Sequence, residues 1–172
     1  KVSVEGITHI EPADINYAKE LGYVIKLLAV AKDYGDKGVN VRVHPVFLAK
    51  THPLASVNDV FNAIFIRGKA IGDAMFYGRG AGSLPTASAV TADIVSETRN
   101  LVSGTHSMVG CTCYNHRNFC PLEETESSYY VRLHVDDEPG VLGRIATAFG
   151  ESGVSLKSVI QTRKVENHAE IV

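Results

Sequence analysis

Three groups of residues have the types and spacing to do chemistry. Gly78-x-Gly80-Ala81-Gly82 stands just ahead of a helical run. Glycines there let a backbone approach a ligand closely, and the N–H groups of a helix start favour negative or electron-rich partners. The spacing departs from the dinucleotide fingerprint, whose third Gly falls three residues after the second. A plain strand-to-helix turn would use the same glycines. His106, Cys111, Cys113, His116 and Cys120 put five potential metal ligands within 15 residues. Zinc wants four ligands in a tetrahedron, and this C-x-C pair has no matched second pair. Reduced thiols in a connecting segment are the better reading, and no metal is assigned. Asp137-x-Pro139-Gly140-Val141-Leu142 is more specific. Pro and Gly fix a turn that presents N–H groups at a helix start, which suits an amino-acid carboxylate. Asp137, Gly140, Val141 and Leu142 are the candidate effector-binding residues, with an ordinary turn as the alternative. Lys26 and Lys32 read as surface lysines on a strand, and no catalytic residue is assigned.

The elements that must position these residues fall into two units, 1–103 and 129–172, joined by a linker, 104–128. Residues 1–7 alternate as a strand. Pro12 suits the first turn of a helix, which Gly22 ends as a C-terminal cap. Residues 23–32 form an apolar strand, Asp36-Lys37-Gly38 a tight connection, and Val39, Val41 and Val43 an alternating return strand. Two antiparallel neighbours follow from so short a loop. Residues 60–66 and 70–77 are two more strands, and a small-residue helix covers 84–101. This predicts a mixed sheet with helices on one face. Residues 104–128 have no sustained periodicity. Beyond them Val131, Leu133 and Val135 alternate. Val141, Leu142, Ile145 and Phe149 then line a helix face, Val154, Leu156 and Ile160 mark a strand, and 168–172 begins another.

The chain has 172 residues, 45% of them hydrophobic, 21% charged and with a net charge of −2. That composition is globular and offers no basic concentration for nucleic acid or anionic membrane. No apolar run approaches the ~20 residues that span a bilayer. The cysteine count of 3 is odd, which argues against a disulfide framework and for a reducing, cytoplasmic setting. The chain opens in mid-strand and stops in mid-fold, which reads as part of a longer polypeptide.

Glu5-Gly6-Ile7-Thr8, Asp14-Ile15, the run Ala18-Lys19-Glu20-Leu21-Gly22-Tyr23, Val43-His44-Pro45 and the block from Gly78 to Val90 together resemble the catalytic domain of bacterial homoserine dehydrogenase. The resemblance covers about 2–103, and the glycine block is its most specific part. Residues 129–172 resemble an ACT domain, a ferredoxin-like βαββαβ amino-acid-sensing module, here truncated. The implied fold class is α+β. The implied reaction is NAD(P)-dependent interconversion of L-homoserine and L-aspartate 4-semialdehyde, serving threonine and methionine biosynthesis. The resemblance places the cofactor domain and the catalytic Asp and Lys upstream of Lys1, so this stretch alone is expected to be inactive. It assigns Gly78, Gly80 and Gly82 to the nicotinamide end of NAD or NADP, with Gly82 the best-matched contact. It also implies a homodimer built through the sheet and an amino-acid effector, threonine in most of the family. The competing reading is a stand-alone amino-acid-binding regulatory protein without catalysis.

Overall fold

The computed structural model describes residues 2–105, 113–163 and 168–172. After a short strand β1 (Ser3–Val4), helix α1 (Pro12–Glu20) starts with Pro12 in its first turn. Proline's missing N–H costs nothing there. The Asp14 carboxylate accepts the Glu11 N–H at 2.8 Å, which satisfies one free donor of the helix start. Gly22 follows the helix at φ +83°, the left-handed position that favours glycine. Its carbonyl accepts the Lys50 N–H at 3.1 Å, so the stop of α1 is fastened to the end of the next hairpin.

That hairpin is β2 (Tyr23–Asp33) and β3 (Val39–Ala49), paired without a break from Tyr23↔Ala49 to Asp33↔Val39. β1 pairs parallel to β3, giving the mixed sheet β1-β3-β2, and α1 packs on β2. The next two strands, β4 (Phe61–Gly68) and β5 (Gly72–Arg79), pair with each other and stand apart as a two-stranded sheet. The strands of this unit are thus shared between two sheets. The connection explains the separation: a 3₁₀ turn at Pro53–Ser56 and a positive φ of 56° at Asp59 turn the chain away from β3. Lys26 ties this connection to β2 through the carbonyl of Val57 and the Asn58 side chain, which is a structural use for one of the two strand lysines. Lys32 lies over the Tyr34 ring.

α2 (Ser83–Val102) follows β5. None of its residues is buried, and Leu84, Val90, Ile94, Val95, Leu101 and Val102 are all exposed. In the connecting stretch, residues 118–120 join β3: the Val39 N–H donates to Asn118 O (2.8 Å) and the Cys120 N–H to Val39 O (3.0 Å). Gly38 permits this approach, because a Cβ there would overlap the Asn118 carbonyl. Cys120 is buried and Cys113 exposed; His106 and Cys111 lie outside the described residues. Among the described residues, no group of three His, Cys, Asp or Glu could hold a metal ion. No described helix is long and apolar enough to cross a membrane.

The last unit is a three-stranded antiparallel sheet, β6-β8-β7, with helix α3 (Val141–Glu151) between β6 (Leu133–Asp136) and β7 (Gln161–Arg163). The central strand is β8 (His168–Ile171). Pairing of β7 starts later than the apolar alternation at Val154, Leu156 and Ile160 suggests. Residues 154–160 are unpaired until Ile160 exchanges two 2.9 Å hydrogen bonds with Val172, so the ladder forms only where β8 supplies a partner. The chain is α+β, with three α-helices and small sheets among the described residues.

Candidate functional site

The glycine loop begins where β5 ends. The Gly80 N–H donates to Val60 O at 2.9 Å, which closes the β4–β5 ladder just before the chain turns into α2. A Cβ at Gly80 would overlap the exposed Asn62 side chain, which would have to swing aside. Gly82 caps α2 at φ +120°, ψ +144°, a conformation closed to L side chains, and a Cβ there would lie 3.2 Å from Pro85. Gly78 differs from both. Its φ is not positive, and nothing lies within 4 Å of the position its Cβ would take. The whole loop is exposed. Stacking of Phe61 on Tyr77 (4.9 Å between ring centroids) and of the Arg79 guanidinium over Phe61 (5.4 Å) stiffens the strand ends that carry it. The result is a fixed backbone surface beside a helix start, with open space at Gly78 for a ligand.

A second site lies at the start of α3. Gly140 is the N-cap in the left-handed conformation (φ +90°), which carries the chain sharply from Pro139 into the helix. The Val141 N–H is taken by Glu138 O at 3.3 Å, and the Arg144 N–H by Gly140 O at 3.0 Å. The N–H groups of Leu142 and Gly143 fall in the first turn, where no carbonyl four residues back belongs to the helix. Both residues line a cleft of about 480 Å³, together with Asp137, Glu138, Pro139, Gly140 and Gln161. Asp137, Gly140 and Leu142 are thus brought together as expected from the sequence. Val141 does not line the cleft; it sits half-buried on the inward stripe with Ile145 and Phe149. Gln161, from β7, joins the cleft from the opposite side, a residue that no local spacing marks.

A third cluster escaped sequence reasoning altogether. It joins α1 to the β6-β8-β7 sheet around Arg132, just before β6. Arg132 Nε donates to Asp14 Oδ1 (2.8 Å), Nη2 to Glu11 Oε2 (2.7 Å) and Nη1 to Glu170 Oε1 (3.3 Å). The Tyr130 hydroxyl donates to Asp14 Oδ1 at 2.8 Å, and its ring stacks on Phe47 of β3 with centroids 4.4 Å apart. The Tyr17 hydroxyl donates to Glu170 Oε2 (2.8 Å) and lies 2.6 Å from Thr162 Oγ1. Asp14 is 4% exposed and Glu170 1% exposed, so two carboxylates are withdrawn from water and share one guanidinium. Burial pulls the Arg132 guanidinium down, but the hydrogen bond to Glu11 and the charges of Asp14 and Glu11 outweigh it and hold it above its usual value. Burial, then the Asp14 hydrogen bond and charge, push the Tyr130 hydroxyl well above the ordinary phenol range. Asp14 and Arg132 lie 118 positions apart in the chain, beyond any pattern in one sequence.

Fold and sites together define an α+β protein in which a glycine-loop unit is clamped to a small sheet-and-helix module with a cleft at its helix start. The homoserine dehydrogenase family matches residues 1–95, and the ACT domain family residues 129–172. A homoserine dehydrogenase of Synechocystis sp. is 41% identical over 182 residues, covering 99% of this chain and 41% of that protein. Its counterpart in Corynebacterium glutamicum is 42% identical over 175 residues, covering 99% and 39% respectively. The crystal structure of a homoserine dehydrogenase from Thiobacillus denitrificans superimposes with a TM-score of 0.84 at 35% identity, over 99% of this chain and 39% of that one. The chain belongs to the homoserine dehydrogenase family and carries an ACT domain. It spans about 40% of the length of these relatives.

Proposed function

We propose that this chain is the glycine-loop and regulatory part of an enzyme that interconverts L-homoserine and L-aspartate 4-semialdehyde with NAD or NADP. The observation that carries the reading is the exposed glycine loop on a stiffened hairpin, with open space at Gly78 that nothing in the fold requires. A backbone free of side chains is what close approach of a flat nicotinamide needs. Gly78, Gly80 and Gly82 would face that end of the cofactor, which supplies or accepts the hydride when bound. The chain's own part is to hold the loop and the α2 start in place; the proton-transfer residues are not among those assigned here. Gly78→Val in the intact enzyme tests this. The fold has room for the side chain, so a raised KM for the cofactor with unchanged thermal stability is the expected result. Wild-type kinetics would remove the loop from the site.

The ACT unit is the regulatory part. Its cleft binds an amino acid, threonine by the family's usual habit, with the carboxylate on the Leu142 and Gly143 N–H groups and the positive end of α3. Asp137 and Glu138 on the rim suit the ligand's ammonium. The enzyme works as a homodimer in the cytoplasm. Calorimetric titration of the intact enzyme with threonine checks the effector reading, and absence of binding at millimolar concentration would remove it.

A further inference from the structure

The cluster around Arg132 and the effector cleft are built on the same strands. Arg132 precedes β6, and Asp137 at the cleft rim follows it. On β7, Gln161 lines the cleft while its neighbour Thr162 meets the Tyr17 hydroxyl of α1. Glu170, which binds both Arg132 and Tyr17, sits on the central strand β8, directly opposite Thr162 and His134. Any ligand that draws Gln161 toward the Gly140 turn therefore moves Thr162, and with it the contact to α1.

We propose that the Asp14–Arg132–Glu170–Tyr17 cluster is the latch through which cleft occupancy reaches the glycine-loop unit; this rests on the effector reading above. The structure shows the made arrangement, with α1 held to the β6-β8-β7 sheet. Asp14 is too buried for Arg132 to leave it cheaply, because a withdrawn charge parted from its cation is strongly disfavoured. The latch is either made or displaced as a unit, which is the discreteness that coupling between sites needs. α1 carries the change onward. Its N-terminal half holds Glu11 and Asp14, and its end is fastened through Gly22 to Lys50 beyond β3. Cleft and latch are separate in residues, so ligand binding and ligand response are separable by mutation.

Coupling is reciprocal, so it can be read from binding alone. In the intact enzyme, the threonine Kd measured by calorimetry should differ with and without saturating homoserine by about tenfold, inside the usual range for coupled sites. Tyr17→Phe removes only a hydroxyl, and Glu170→Gln keeps the side-chain shape; neither residue lines the cleft or the glycine loop. In both variants threonine should still bind, while the ratio of the two Kd values falls to about one. Hydrogen exchange of the α1 amides should respond to threonine in the unsubstituted enzyme and not in Tyr17→Phe. A ratio in Tyr17→Phe and Glu170→Gln equal to that of the unsubstituted enzyme overturns the latch and leaves the effector site standing. A ratio of one already in the unsubstituted enzyme overturns it too. If the unsubstituted enzyme binds no threonine at all, the effector reading falls and the latch proposal falls with it.

Discussion

The three glycines of the Gly78–Gly82 loop look alike in the sequence and are held by different physics. Gly82 needs a backbone conformation reserved for glycine, Gly80 lies against Asn62, and Gly78 answers to neither constraint. Gly82→Val should therefore cost stability as well as turnover, on the order of 1–3 kcal/mol for the strained φ alone. Gly78→Val should touch turnover only. Comparing the two by thermal melting and cofactor KM separates ligand approach from folding. His44 carries a second prediction at this scale. Burial first, then the charge of Arg42, hold its imidazole below the ordinary value of 6.5. Arg42 Nε donates to His44 Nε2 at 2.9 Å, a bond that only the neutral ring can accept. The unfolded chain therefore binds more protons at this residue, and stability falls as pH drops through about 6.5 and below. His44→Gln should flatten that part of the stability curve between about pH 7.5 and 5.5, measured by urea midpoints. An unchanged slope would show that His44 does not contribute to it.

At the scale of elements, what was legible follows the range of the interaction. Pro12 and Gly22 bracket α1 through local backbone rules, and the short 34–38 connection dictates the β2–β3 pairing. Asp137, Gly140 and Leu142 meet in one cleft because a turn and the first helical residues are neighbours in both chain and space. Helical phase separates Val141 from Leu142: 141, 145 and 149 form the half-buried stripe, while Leu142 lines the cleft. Gln161 and the latch were illegible because each depends on strand pairing across long stretches of chain. The same contrast sets the expected energetics. Gly140→Asp adds a side chain where φ is +90° and a negative charge where the α3 dipole favours anions, so the threonine response of the enzyme should disappear. A threonine inhibition curve on that variant is the check, and a wild-type curve would be the losing outcome. Arg132→Leu instead takes the guanidinium away from the buried Asp14 carboxylate. A loss of about 3–5 kcal/mol is expected by denaturant titration, against a few tenths for an exposed pair such as Arg67–Asp73.

For the whole molecule, the notable feature is how little of its apolar surface is covered. Among the described residues the buried hydrophobic ones are few, and three of the most buried side chains, Asp14, Asn40 and Glu170, are polar. Asn40 is tied to Cys120 O at 2.9 Å, and the other two to the latch, so polar pairing rather than a large oil core joins the parts. The sequence hinted at this through apolar strands with no helix to cover both faces, but strand pattern alone could not say which hairpin would stand free. The structure picks out β4–β5. On one of its faces Ile64 lies opposite Phe76, with Ile66 beside them and Ile71 at the turn, exposed by 64%, 64%, 45% and 72%. A contiguous apolar patch of this kind is rare on a soluble monomer and marks an interface. A second copy related by a two-fold axis would cover it with the same patch, since an isologous interface is self-complementary. The chain should therefore run as a dimer in light scattering at tens of micromolar, with twice the 18.6 kDa mass of one copy. Ile64→Lys places a charge at the centre of the patch, where burial without a partner is costly, and should shift the population to monomer while leaving the latch and cleft intact. A monomer mass for the unsubstituted chain, or a dimer indifferent to Ile64→Lys, would place the interface elsewhere.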